Sequence, residues 1–207
     1  MPKFILQISV KFSRSFVVQC VKSSIHIEDI IKKSRFISFI YPCSSETEAA
    51  AYLKVLHAEH SSANHIAFAY RIKTDKGTVC RFHDAGEPSG TAGKPIYSYI
   101  EGHDLINVLC VVVRYFGGIK LGAGGLTRAY GNAAKLAIAV AEIIEFTELA
   151  TLFIVLDYNQ LQPFEYTLKK FSGKIISKDF AGQVTLQVQL PESQADGFLQ
   201  IFPGQKI

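Results

Sequence analysis

The pattern of apolar and polar positions in the first part of the chain predicts a sheet packed against helices. Period-two alternation predicts strands at residues 25–31, 36–41, 65–72 and 78–82. The segment 106–116 is apolar at both parities, which favours a central strand covered on both faces. Helical periodicity predicts helices at 46–60, 95–102 and 125–145. Ser45 and Glu48 form a capping box for the first helix, and Ile143 is the last inward residue expected in the third.

A second set of elements begins near residue 147 and predicts a separate domain. It contains a strand at 149–156, a helix with Asn159 as N-cap and Gly173 after its end, a hairpin of 174–180 and 183–190, and a short helix at 192–202. This βαββα order is half of a ferredoxin-like pattern. We therefore predict an N-terminal extension at 1–24, a first domain at 25–146 and a second domain at 147–207. The extension has a strand-like pattern at 3–12, and we expect it to be dispensable for folding.

Composition adds an expectation about the compartment. The 207 residues are 48% hydrophobic, which is enough for a packed core. No apolar run approaches the roughly 20 residues that cross a membrane, and Lys3 and Lys11 interrupt any secretory signal. The four cysteines are far apart and form no CxxC pair, which is typical of a reducing compartment. We expect a cytoplasmic protein with no membrane association, as a monomer or weak dimer.

The net charge of +4 is unevenly distributed along the chain. Residues 1–35 hold seven Lys and Arg against Glu28 and Asp29, whereas the remaining residues hold 15 basic and 16 acidic side chains. The body of the protein is therefore not a generally basic nucleic-acid binder. Any affinity for phosphate has to come from a local patch or from the N-terminal segment.

Glycine is concentrated in one part of the chain, because 11 of the 15 glycines lie between Gly77 and Gly131. The segment GGIKLGAGGLT at 117–127 falls between a predicted strand and a predicted helix. Backbone N–H groups in the first turn of a helix attract anions, and glycines let a phosphate approach them closely. The segment matches neither the Walker A nor the GxGxxG pattern. Two interpretations stay open, a phosphate site or a tight crossover with no ligand.

The predicted anion site combines these glycines with nearby cations. Its members are Arg35, Lys94, Arg114, Gly117, Gly118, Lys120, Gly122, Gly124, Gly125 and Arg128. The basic segment KKSR at 32–35 is either a solvated hairpin tip or part of such a site.

Three ionisable side chains in the same region make catalysis an alternative. Asp84 and Glu87 stand three residues apart in the loop DAGEPSGTAGKP, so they are candidates for a general acid and base, with His65 as a third member. Carboxylates in such loops also bond local backbone amides, and that alternative stays open. His57, His60 and His65 form an H-x2-H-x4-H pattern, but a zinc site needs a fourth ligand and none is evident. We expect no metal and no cofactor.

Five segments of this chain resemble the bacterial, YigZ-type branch of the IMPACT family. They are IKKSRFI at 31–37, AEH at 58–60, DAGEPSGTAGKP at 84–95, VVVRYFGG at 111–118 and KLGAGGLTRAYG at 120–131. The resemblance implies an α+β protein of two domains. The first has the left-handed βαβ fold of the second domain of a small-ribosomal-subunit protein. The second is a ferredoxin-like βαββα domain, as found in elongation factor G.

The resemblance also bears on function. Eukaryotic relatives in this family regulate translation through an additional N-terminal RWD domain, which these 207 residues do not contain, so that mechanism is not expected here. The leading hypothesis is a cytosolic, translation-associated protein that binds RNA, the ribosome or another phosphate-bearing partner. Tyr115, Phe116 and Tyr130 are candidate rings for stacking on bases. The alternatives are a hydrolase that uses Asp84, Glu87 and His65, and a protein–protein interaction module without nucleic acid.

Overall fold

The computed structural model of the protein describes residues 18–206. These residues form two compact units, and the chain passes from one to the other between Phe146 and Thr147. Each unit combines a β-sheet with helices, so the two-domain α+β class predicted from the sequence is confirmed. The strand-like pattern at 3–12 lies outside the described residues. None of the helices in the range 18–206 is long and apolar enough to cross a membrane.

The first unit contains seven strands and three helices within its described part. In chain order they are β1 (Gln19–Val21), β2 (Ile25–Ile31), β3 (Ser34–Pro42), α1 (Glu46–Glu59), β4 (His65–Thr74), β5 (Gly77–His83), α2 (Gly93–Gly102), β6 (Val108–Tyr115), α3 (Ala123–Val140) and β7 (Ile143–Glu145). Ser45 caps α1 by accepting the backbone N–H of Glu48, as the capping box predicts.

Five of these strands form one antiparallel sheet in the order β2-β3-β6-β4-β5. The central strand β6 is buried from Val108 to Arg114, and its two faces pack on different helices. Val108, Cys110 and Val112 face α2 and α3, whereas the alternate residues face α1. The sheet is therefore covered on both sides, as the apolar pattern of 106–116 predicts.

The two remaining strands of the first unit require two corrections to the sequence-based expectations. The helix α3 ends at Val140, and Ile143 belongs to β7 rather than to the helix. β7 pairs with β1, in which Val21 is buried in the core of the first unit. Residues 19–21 are therefore part of this unit, and a domain start at residue 25 is too late. The physical reason for the shorter helix is that two adjacent β-branched residues, Ile143 and Ile144, favour a strand once the partner strand β1 is present.

The second unit is a sheet with helices packed on it. Its elements are β8 (Leu149–Leu156), a 3-10 turn (Tyr158–Gln160), α4 (Leu161–Lys170), β9 (Lys174–Phe180), β10 (Val184–Pro191), α5 (Glu192–Ile201) and β11 (Gln205–Lys206), with the sheet order β11-β8-β10-β9. One correction concerns the cap of the helical segment. Asp157, not Asn159, is the capping residue, and it forms a reciprocal pair of hydrogen bonds with Gln160 around the 3-10 turn that precedes α4.

Candidate functional site

The register of the large sheet brings three chemically different side chains to one end of one face. His65 on β4 is paired with Arg114 on β6, which is paired with Phe36 on β3. All three share parity with residues that pack on α2 and α3, such as Ala67 and Val112. The α3 side of the sheet therefore ends in a histidine, an arginine and an aromatic ring that lie side by side.

A buried cluster of hydrogen bonds forms around Glu87, which the loop between β5 and α2 places over this end of the sheet. Arg114 Nη1 donates to Glu87 Oε1 at 2.6 Å, and the side chains are only 6% and 4% exposed. The Tyr130 hydroxyl of α3 donates to the same oxygen at 2.8 Å. Burial raises the pKa of Tyr130 far above its ordinary value, and the neighbouring Glu87 carboxylate raises it further. Tyr130 is therefore a fixed donor to a carboxylate that is already paired with Arg114.

The other contacts of Arg114 hold its guanidinium in place and leave the nitrogen Nε without a partner. Its Nη2 donates to Ser34 Oγ at 3.4 Å, and its Cζ lies 5.5 Å from the ring centroid of Phe36 and 5.6 Å from that of Phe116. Arg114 Nε is buried and finds no acceptor among the described residues. An orphaned buried donor is unusual in a folded protein, and this one belongs to a side chain that lines a cavity.

His65 is oriented by a backbone carbonyl. Its Nδ1 lies 2.9 Å from the carbonyl oxygen of Ala85, and because a carbonyl only accepts, Nδ1 carries the proton. The other ring nitrogen, Nε2, lies 3.8 Å from Glu87 Oε1. This distance is too long for a direct hydrogen bond, so His65 faces the buried cluster without joining it.

These side chains line a cavity of about 380 Å³, which we call the central cavity. Its wall is formed by Asn64, His65, Glu87, Pro88, Arg114, Phe116, Lys120, Leu121, Gly122, Ala123 and Leu126. The first turn of α3 opens onto it. The N-cap is Gly122 (φ 71°), and no side chain caps the helix there. The unpaired N–H groups of the first turn and the exposed Lys120 therefore place positive potential at the mouth of the central cavity.

Asp84 does not line the central cavity and has a structural role. Its carboxylate accepts the backbone N–H groups of Gly90, Ala92 and Gly93 at 2.8, 2.9 and 2.8 Å, and so it caps the start of α2 from a preceding loop. Partial burial by itself would raise the pKa of Asp84. The three amide donors, with a smaller contribution from His83, outweigh burial and hold the pKa below its ordinary value. The structure thus brings Glu87 and His65 together in the wall of the central cavity, whereas the carboxylate of Asp84 is engaged by the start of α2.

The glycines of the predicted anion site have different surroundings. Gly117 donates its N–H to Ser34 Oγ at 3.2 Å and lies so close to the turn between β2 and β3 that a Cβ would be 1.9 Å from the carbonyl oxygen of Lys33. Gly118 has a positive φ of 84°. Gly124 and Gly125 lie in the first turn of α3. Gly117 therefore serves packing, whereas Gly122 lies at the mouth of the central cavity.

The cations of the predicted site also divide into groups. Arg114 and Lys120 line the central cavity. Arg128, with Gly125, lines a separate groove along α3. Arg35 forms a bidentate pair with Glu28 at 2.6 and 2.7 Å, and neither Arg35 nor Lys94 lines a cavity described here.

The histidines and aromatic rings are placed as follows. His57, His60 and His65 line a common cavity, but in the described part of the chain no three His, Cys, Asp or Glu side chains are arranged to hold a metal ion. Phe116 is 45% exposed beside the central cavity. Tyr130 is fully buried, so its expected role as a stacking ring is wrong. Its position follows from the helical stripe of α3, in which Leu126, Ala129 and Ala133 also face the core.

Sequence reasoning missed two members of this site, Ser34 and Asn64. Ser34 Oγ joins Arg114 to the backbone of Gly117, and Asn64 Oδ1 accepts the N–H of Phe116 at 2.7 Å. Both residues lie at or next to the first residue of a strand and hold the end of β6. In the sequence, only their positions at the start of β3 and β4 point to these two residues. That signal is weak, because Ser and Asn are common beside strands, where their side chains bond the nearby backbone.

Comparison with known proteins covers both units. Residues 32–138 match the family model described as the Impact N-terminal domain, and residues 154–200 match a domain of unknown function, DUF1949. An IMPACT family member of Haemophilus influenzae is 36% identical over 86% of this chain and 86% of its own length. The IMPACT family member YigZ of Escherichia coli is 37% identical over 81% of this chain and 83% of its own length.

One solved structure supports the same assignment. The crystal structure of a hypothetical protein is 32% identical, covers 92% of this chain and 96% of its own, and superimposes with a TM-score of 0.66. These matches extend over both units and confirm the family that the sequence motifs predict.

Proposed function

Since this chain belongs to the IMPACT family, we propose that it is a translation-associated regulatory protein that binds RNA or another phosphate-bearing ligand in the central cavity. The observation that carries the proposal is that one cavity contains both the uncapped start of α3 and the buried Arg114 with its unpartnered Nε. The link to translation rests on the family, whose eukaryotic members regulate translation.

The size and chemistry of the central cavity suit a phosphate group with part of the molecule attached to it. A volume of about 380 Å³ is at the lower end of ligand sites, and apolar residues such as Leu121 and Phe116 form much of its wall. Its only carboxylate, Glu87, is paired with Arg114, so the potential that remains comes from Lys120 and the start of α3. An anion is therefore the ligand that this cavity favours.

The geometry gives less support to a hydrolase. Asp84 directs its carboxylate at three backbone amides, which leaves it unsuited to exchange protons with a substrate. Glu87 already accepts hydrogen bonds from Arg114 and Tyr130. Of the three candidates, only His65 has a ring nitrogen directed into the cavity without a hydrogen bond, and one histidine does not make an acid–base pair.

The free cysteines agree with a cytoplasmic place for this function. Cys20, Cys43, Cys80 and Cys110 are all unpaired, and such cysteines are typical of a reducing compartment. The cytoplasm is also where RNA and ribosomes are available as partners.

The test is phosphate-dependent binding with a matched pair of charge reversals. Lys120→Glu changes the mouth of the central cavity, whereas Lys54→Glu makes the same change in charge at an exposed position of α1 that lines none of the cavities described here. Binding of inorganic pyrophosphate is measured by calorimetry, and RNA or ribosomes by filter binding and pelleting at several salt concentrations. We expect Lys120→Glu to weaken binding about tenfold or more, with a smaller dependence on salt, and Lys54→Glu to behave as the unaltered protein. Equal behaviour of both variants at every salt concentration contradicts the proposal.

A further inference from the structure

We propose that the ligand is a single-stranded polynucleotide that lies along three adjoining cavities of the first unit. This inference rests on the proposed function, because the central cavity is the middle one of the three. The other two are a cavity of about 450 Å³, which we call the histidine cavity, and a groove of about 720 Å³, which we call the basic groove.

The histidine cavity adjoins the central cavity on the β4 side. The two share Asn64 and His65 as wall residues. The basic side chains of the histidine cavity are His57, His60, His65, His83 and Arg81, and it contains no carboxylate. A chain that leaves the central cavity past His65 therefore enters a region lined by nitrogen donors.

The basic groove adjoins the central cavity just before the start of α3. Leu121 belongs to the walls of both. The groove lies between the turn that joins β2 to β3, the helix α2 and the helix α3. Lys32, Arg128 and Lys135 supply its charges, and it also lacks a carboxylate. The three cavities thus form one row. Asn64 and His65 join the histidine cavity to the central cavity, and Leu121 joins the central cavity to the basic groove.

Charge is the first reason for choosing a long polyanion. The walls of the three cavities contain six Lys and Arg side chains, namely Lys32, Arg81, Arg114, Lys120, Arg128 and Lys135, and only one carboxylate, Glu87. Apart from Arg114, none of these cations forms a salt bridge within residues 18–206. Five of these six cations lie beyond residue 35, where the chain holds 15 basic and 16 acidic residues, so the cavities are more basic than the rest of that part of the chain. A single phosphate needs far fewer cations than this set supplies.

Aromatic rings are the reason for choosing a nucleic acid rather than an acidic peptide. Each cavity contains at least one ring beside its cations: Phe68 stacked on His83 at 5.7 Å in the histidine cavity, Phe116 in the central cavity and Tyr99 in the basic groove. Proteins that bind single strands combine a basic groove with rings on which the bases stack. An acidic peptide gains nothing comparable from such rings.

The turn between β2 and β3 supplies an independent argument. Lys32 and Lys33 have positive φ values of 45° and 66°, the conformation of a two-residue hairpin turn that favours Asn and Gly. Lysine at both positions costs conformational free energy, and such residues occur where function compensates for the strain. Lys32 lines the basic groove, so a contact with phosphate accounts for a lysine at this position.

The experiment measures how affinity depends on the length of the strand. Fluorescence anisotropy with labelled oligouridylates of about 4 and about 16 nucleotides compares the unaltered protein with three charge reversals. Lys120→Glu reports on the central cavity, Arg81→Glu on the histidine cavity and Lys135→Glu on the basic groove. Lys54→Glu is the control for net charge, and thermal unfolding of every variant verifies that it is folded.

We expect the longer strand to bind more tightly and each of the three reversals to weaken it about tenfold. Each reversal should also lower the slope of log affinity against log salt by about 0.7, the value for one contact with a single strand. Phe116→Leu keeps an apolar side chain but removes the ring, and should also weaken binding about tenfold.

Three other outcomes overturn the inference in distinguishable ways. If the two strands bind equally and only Lys120→Glu weakens them, the central cavity takes a single phosphate, and the proposed function stands without the three-cavity path. If no reversal differs from Lys54→Glu, both proposals fail. If polyglutamate of equal length displaces the strand as well as unlabelled RNA does, and Phe116→Leu has no effect, the occupant is an acidic protein segment.

Discussion

At the scale of single residues, Glu87 is an acceptor that positions Arg114. Its Oε1 receives one hydrogen bond from a guanidinium and one from a phenol, in surroundings where only 4% of its side chain is exposed. A buried charge of this kind is stable only with a partner, and removal of one partner leaves the other uncompensated. The pair therefore fixes the guanidinium whose Nε lacks an acceptor.

We expect Glu87→Gln to lower the free energy of unfolding by about 3–5 kcal/mol, because it leaves the buried Arg114 without its counter-charge. The double variant Glu87→Leu with Arg114→Met removes both charges and should recover much of that loss. Urea unfolding of the single and double variants gives the coupling between the two sites. A double variant no more stable than Glu87→Gln would show that the pair does not act as a unit.

Asp84 should make the stability of the first unit sensitive to acid. Because its pKa is lower in the folded than in the unfolded protein, its stabilising effect is complete above the unfolded value of about 3.9 and is lost as the pH falls through the lower folded value. At neutral pH we expect Asp84→Asn to cost about 2 kcal/mol, since hydrogen bonds to a charged acceptor are the stronger ones.

The measurement for Asp84 is thermal or urea unfolding of the unaltered protein and Asp84→Asn between neutral pH and about pH 2. The difference between them should shrink as the pH falls. Asp75→Asn, at an exposed position of the turn between β4 and β5, is the control. A difference that stays constant down to the lowest pH would mean that the charge of Asp84 does not matter.

At the scale of elements, the glycine-rich segment contains residues with opposite tasks. Gly117 lets the end of β6 pass close to the turn between β2 and β3, where a side chain has no room. Gly124 lies inside the first turn of α3, and the nearest atom to an added Cβ there is Arg128 Nη1 at 3.9 Å. Packing therefore explains the first of these glycines and does not explain the second.

The two glycines should respond oppositely to alanine. Gly117→Ala should destabilise the protein by more than about 2 kcal/mol, because its Cβ would overlap the backbone of Lys33 and Ser34. Gly124→Ala should stabilise it by about 0.5–1 kcal/mol, because alanine is the better helix former. Thermal unfolding measures both. If Gly124→Ala is more stable but binds the ligand of the central cavity more weakly, the glycine is present for binding.

The elements that depend on residues close together in the sequence were predicted better than those that depend on tertiary contacts. The bounds of the helix α1 and of the hairpin of β9 and β10 were predicted within one or two residues, because a helix cap and an alternating pattern depend only on residues close together in the sequence. The end of α3 was not predicted correctly, because Ile143 continues the apolar stripe of the helix. Only its pairing with β1 places it in a strand. Asn159 was expected as the cap because it puts Pro163 in the first turn, where a missing N–H costs little; the 3-10 turn before α4 moves the cap to Asp157.

At the scale of the whole molecule, the candidate site is made by tertiary contacts that no spacing in the sequence reveals. Glu87 and Arg114 stand 27 positions apart, and Ser34 and Arg114 stand 80 apart. The motifs identified the residue types of the site and the family. They could not show that Asp84 turns toward α2, or that Glu87 turns toward Arg114, because both belong to the same loop and differ only in what the fold packs against them.

The strand β1 is the part of the chain whose importance the sequence underestimated. Val21 is 3% exposed in the core of the first unit. Gln19 exchanges backbone hydrogen bonds with the segment before β6, donating to Asp104 at 3.2 Å and accepting from Ile106 at 2.8 Å. Lys22 donates its N–H to the carbonyl of Glu142 at 2.9 Å, and their side chains form an ion pair. β1 and the residue after it thus form backbone hydrogen bonds both with the segment that precedes β6 and with the segment that follows α3.

A chain that begins at Ser24 should therefore be less stable than one that begins at Phe16. We expect a loss of about 2–4 kcal/mol, since burial of a valine side chain alone contributes about 1.5–3 kcal/mol and the hydrogen bonds of Gln19 and Lys22 are lost as well. Urea unfolding of the two chains measures the difference, with Val21→Ala in the longer chain as an intermediate. The loss of stability should be accompanied by loss of the pairing between β7 and β1, which is measured as faster amide exchange at Ile143 and Ile144. Equal stability of the two chains would show that residues 16–23 are dispensable, and that the contacts of β1 contribute nothing to the fold of the first unit.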